Sequence, residues 1–136
     1  MLKTKNTGCK NTKNFDTDKK KFQFAEKNVS LQSKILDMYD VKITALRKAD
    51  YKDLQQLYEN PIEHTCDVRE GQTWVARGGA KPEGMCDSAW ESMRGFVESL
   101  ARGEGNFYDG WMQNPYSAMI SCNDGFRPVS FLLERL

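Results

Sequence analysis

Asp124-Gly125 stands between two apolar runs, Ala118 to Ile120 and Val129 to Leu133, and this pattern constrains the fold more than any other in the chain. Glycine takes a positive φ without a Cβ clash and aspartate tolerates one, so Asp-Gly between apolar runs predicts a β-hairpin. Pro128 then falls at a strand start, where its missing N–H is harmless. The hairpin brings a thiol, a carboxylate and a guanidinium to one tip, from Cys122, Asp124 and Arg127.

The elements before the hairpin read in order. Val41, Ile43 and Ala45 alternate with Lys42, Thr44 and Leu46, the period of a half-buried strand. Asp50 is placed to cap a helix whose Tyr51, Leu54, Leu57 and Tyr58 share one face, and Asn60-Pro61 ends it. Gln72 to Ala76 reads as a second strand, stopped by Gly78-Gly79, and Pro82-Glu83-Gly84 makes a turn. A second helix places Ala89, Met93, Phe96, Val97 and Leu100 on one stripe with Trp90 at its edge. Its start is marked by Asp87 and by a capping box from Ser88 to Glu91. Gly103, Gly105 and Gly110 loosen the chain into a loop holding Phe107, Tyr108 and Trp111. The order β-α-β-α-β-β indicates an α+β fold: a small mixed or antiparallel sheet with two helices and a C-terminal hairpin.

This domain spans residues 39–136, and residues 1–38 form a Lys- and Asn-rich extension expected to be partly disordered. The extension carries nine Lys against four acids, or +5, whereas residues 39–136 carry eleven basic and fifteen acidic side chains, or −4. The basic segment holds no Arg for bidentate phosphate contacts and few aromatics, which argues against nucleic-acid binding. No apolar signal region follows Met1, and the longest uncharged run, Gly110 to Asn123, is too short and polar for a membrane helix. A cytoplasmic protein without membrane contact is expected, with its four cysteines reduced.

Three of those cysteines, Cys66, Cys86 and Cys122, lie at loop edges and can meet in the fold. Cys86 falls at a helix start, where unpaired N–H groups and the helix dipole favour negative charge; its other reading is a small buried hydrophobe. With His64, the three thiols make a four-ligand set suited to zinc, and alone they leave an open position on iron. No C-x2-C pair is present, so ligation depends on the fold gathering distant loops. His64 is the sole histidine and the only base for a Cys-His nucleophilic pair, with Asp67 to orient it. Cys86, Asp124 and Arg127 are the candidate catalytic groups, with Glu134 beside the last two for anion binding or proton transfer; turn geometry and an ion pair are the simpler account of Asp124 and Arg127. The Gly103–Gly110 loop lacks the Gly-Lys-Ser/Thr ending of a phosphate cradle.

Pro82-Glu83-Gly84-Met85-Cys86-Asp87-Ser88-Ala89-Trp90, Trp111-Met112, and Cys122-Asn123-Asp124-Gly125-Phe126-Arg127-Pro128-Val129-Ser130-Phe131-Leu132-Leu133-Glu134-Arg135 carry a resemblance. Over residues 39–136 the chain resembles an uncharacterised group of small proteins, common in anaerobic bacteria and archaea, that end in a CTDGxRPVxFxLER segment. The resemblance implies that Cys86, Asp124, Gly125, Arg127 and Pro128 are family-type positions, and Cys66 more loosely so. It also sets Ser121 apart, since many relatives carry a second adjacent cysteine there. Two function classes follow: an accessory protein using clustered thiols for metal or redox work on an unknown small molecule or protein, or a non-catalytic binding module with structural cysteines.

Overall fold

A computed structural model of the protein describes residues 37–136. The extension read over residues 1–38 lies outside them, apart from Asp37 and Met38, and Cys9 lies outside with it. From Met38 to Leu136 the chain makes one compact unit. Its elements are β1 (Val41–Lys48), α1 (Lys52–Tyr58), β2 (Thr73–Ala76), a single 3-10 turn (Arg77–Gly79), α2 (Asp87–Ala101), β3 (Ser117–Ser121) and β4 (Val129–Arg135). This is the α+β order expected, and the sheet is wholly antiparallel, with strand order β2-β1-β4-β3.

Alternation decides which face of the sheet is covered. Val41, Ile43 and Ala45 of β1, Ala118 and Ile120 of β3, and Val129, Phe131 and Leu133 of β4 point to one side and are buried. On that side lies α2, whose Ala89, Trp90, Met93, Val97, Leu100 and Ala101 are buried. Each large aliphatic or aromatic side chain so buried contributes about 1.5–3 kcal/mol against exposure. Phe96, expected on the same stripe, packs at the rim of this core, half-buried and edge-on to Phe107.

Several local expectations are corrected. The residue capping α2 is Cys86, with no side-chain bond, because Asp87 lies in the first turn and its carboxylate is taken by Lys81. Asp50 does not cap α1; it accepts from the Gln55 side chain, and Tyr51 holds the cap position. The apolar face of α1 is not buried, with Leu57 70% and Tyr58 75% exposed. The expected terminal hairpin forms, but glycine does not make its turn: Ser121 pairs with Ser130, residues 122–128 form the loop, and Gly125 does not adopt a positive φ. Asp124 makes the turn through its side chain instead, accepting the N–H groups of Phe126 at 2.8 Å and Arg127 at 3.2 Å.

Candidate functional site

The sheet and α2 bring all three described cysteines to one end of the fold. The C-terminal end of α2 is fixed beside the start of β1, where the Tyr39 N–H donates to the Ala101 carbonyl at 2.8 Å. A 15-residue helix runs about 22 Å, so Cys86 at its other end lies toward the far edge of the strands. That edge is where β1 ends at Lys48, opposite Val129. Cys122 follows β3 there, its N–H donating to the Val129 carbonyl and its sulfur accepting the Val129 N–H at 3.3 Å.

Cys66 is held at the same edge by Lys48, a residue that local sequence patterns do not single out. A bulge between Ala45 and Arg47 shifts the register, and opposite-strand pairing then puts Lys48 on the side of buried Val129. The Lys48 ammonium donates to the carbonyl of Cys66 at 2.6 Å, and its backbone N–H donates to Glu70 at 2.9 Å. The Cys66 sulfur accepts the Val68 N–H at 3.4 Å.

Cys66 and Cys86 line one groove of about 640 Å³, together with Val68, Trp74, Lys81 and Met85. Cys86 is exposed and Cys66 half-buried. The turn before Cys86 is set by Gly84 at φ +81°, the third position of a turn closed by Met85 N–H to the Pro82 carbonyl. Lys81 beside Asp87 holds that exposed carboxyl below its usual range, so a neutralised pair stands at the rim.

The remaining candidates divide. Among the described residues, no three His, Cys, Asp or Glu side chains stand where one metal ion could be held. The set of His64, Cys66, Cys86 and Cys122 is therefore not assembled: Cys122 is engaged within the hairpin, and His64 is exposed on its loop. Among the described residues no hydrogen bond joins His64 to Asp67 or to a cysteine, as a nucleophilic pair would need. Asp124 and Arg127 do meet, at 3.3 Å, but the second partner of Arg127 is Glu59 beyond α1. Glu134 lies at the other end of β4, opposite Lys42 and Ser117.

A second hollow of about 690 Å³ lies between α1 and the Cys66 loop, lined in part by Lys48, Lys52, Glu59 and Arg127. Its cations are engaged, Lys52 by Asp50, Lys48 by backbone carbonyls and Arg127 by Glu59 and Asp124. Among the described residues, no helix is long and apolar enough to cross a membrane. No protein-family model, curated protein or solved structure matches the chain.

Proposed function

We propose that this chain is a small thiol-bearing accessory protein that exchanges a dithiol for a disulfide on a partner molecule. The observation carrying the reading is that Cys66, half-buried on its loop, and Cys86, exposed at the start of α2 twenty residues on, line a single groove. Exposed Cys86 is the attacking sulfur. As its thiolate it attacks a disulfide on the partner, forming a mixed disulfide and releasing one partner sulfur as thiolate. Half-buried Cys66 then attacks the Cys86 sulfur, which releases the second. The partner's disulfide is reduced by two electrons, the Cys66/Cys86 pair is oxidised by two, and the two thiol protons pass to the leaving sulfurs. The apolar wall of Val68, Trp74 and Met85 gives the groove a surface on which the partner can rest. A reducing compartment such as the cytoplasm resets the pair.

Redox work is preferred to metal binding because the two thiols have no third ligand beside them among the described residues. The alternative, a binding module with structural cysteines, draws on Cys122, whose sulfur is part of the hairpin hydrogen bonding. The test is trapping with an aromatic disulfide reagent followed by peptide mapping. Cys66→Ser is expected to accumulate the mixed disulfide at Cys86, and the unmodified chain to pass through it. Modification of Cys122 or Cys66 ahead of Cys86 overturns the assignment.

A further inference from the structure

The loop after α2 is built to hold aromatic rings in water. Its root is a helix stop in which Gly103, at φ +89°, donates to the Leu100 carbonyl and Glu104 donates to the Ser99 carbonyl. Its neck closes where the Asn106 N–H donates to the Pro115 carbonyl at 2.6 Å. A Cβ on Gly105 would stand 2.5 Å from that same carbonyl oxygen, so only glycine permits the closure. Residues 105–115 thus form a compact surface loop with its ends together. Inside it Asn106, Tyr108 and Asp109 have φ of 53°, 51° and 52°.

A left-handed conformation is disfavoured for a residue with a Cβ, most of all for a bulky one. Packing of Tyr108 does not offset this, since the residue is 74% exposed. What the conformation accomplishes is placement. Phe107 roots on Phe96 at 5.0 Å, and Tyr108 meets Trp111 at 5.3 Å with planes 81° apart, two walls of a corner. Gly95, Phe96, Ser99, Phe107 and Tyr108 line an apolar hollow of about 370 Å³ beside it. Asp109 lies between the two rings in sequence, and among the described residues its carboxylate has no ion-pair partner. The neighbouring Arg102 and Glu104 neutralise one another at 3.2 Å.

We infer that this corner is a docking site for an arginine side chain on a protein partner. Ring faces attract a cation, and a carboxylate adds charge complementarity. A guanidinium suits the site better than an ammonium because it is flat, weakly hydrated and able to stack while donating to a carboxylate.

The experiment titrates the full chain with three short peptides of one sequence whose central residue is Arg, Lys or Glu, read by calorimetry. The arginine peptide is expected to bind saturably, the lysine peptide several-fold more weakly and the glutamate peptide without saturation. Asp109→Asn, which keeps a residue tolerant of positive φ, and Tyr108→Ala are each expected to weaken the arginine peptide by about fivefold. Leu57→Ala, on α1, serves as the unaffected control, and thermal melts verify that every variant is folded. Equal affinity for the arginine and glutamate peptides, no saturable binding of the arginine peptide, or unchanged affinity in both corner variants overturns the inference.

Discussion

Arg127 lies between two carboxylates, those of Glu59 and Asp124, with only 11% of its side chain exposed. Burial pushes the Asp124 carboxyl up, but the N–H groups of Phe126 and Arg127 and the guanidinium charge outweigh it, and the net direction is down. A carboxyl whose folded pKa is lowered adds stability that is fully present above its unfolded value and is lost as pH falls through the folded one. Urea unfolding should therefore show Asp124→Asn less stable than the natural chain near neutrality, with the gap closing as pH drops below about 4. Arg127→Leu should also lower stability at neutral pH, since it leaves the carboxylates of Glu59 and Asp124 without their cation. An unchanged gap at low pH, or a neutral Arg127→Leu, contradicts this reading. At this scale the sequence marks the turn and the Asp124–Arg127 pair but hides their working. Asp-Gly suggests backbone freedom at glycine, whereas the Asp124 side chain forms the turn, and Glu59 stands 68 residues away with no local signal.

Both helices carry an apolar stripe in the sequence, yet only α2 is buried. Met93 is fully buried between α2 and the sheet, while Leu57 on α1 is 70% exposed. Met93→Ala should lower unfolding free energy by about 2–4 kcal/mol, and Leu57→Ala by less than about 0.5 kcal/mol, both measurable by denaturant titration. A large loss at Leu57 would mean that α1 packs against something its present surroundings do not include. Periodicity reports which residues share a face, not whether a neighbour covers it, so the two helices look alike until the sheet is in place. The bulge in β1 was illegible for a related reason. Its extra residue is defined by the partner strand β4, and the placement of Lys48 against the Cys66 loop follows from that pairing.

For the molecule as a whole, the element order, the α+β class and the closing hairpin could be read from alternation, helical stripes and turn residues. The gathering of the thiols could not, because it depends on strand order β2-β1-β4-β3 and on the direction in which α2 crosses the sheet. The same topology divides the cysteines. Cys66 and Cys86 share a groove, whereas Cys122 is bound into the hairpin. The most direct measurement is equilibration of the full chain in glutathione buffers of graded redox poise, followed by acid quenching and non-reducing peptide mapping. One disulfide is expected, Cys66–Cys86, whose formation follows the two-electron glutathione couple while Cys122 remains a thiol. Thiols that never pair across the whole range, or a disulfide that recruits Cys122 in place of either partner, would contradict it.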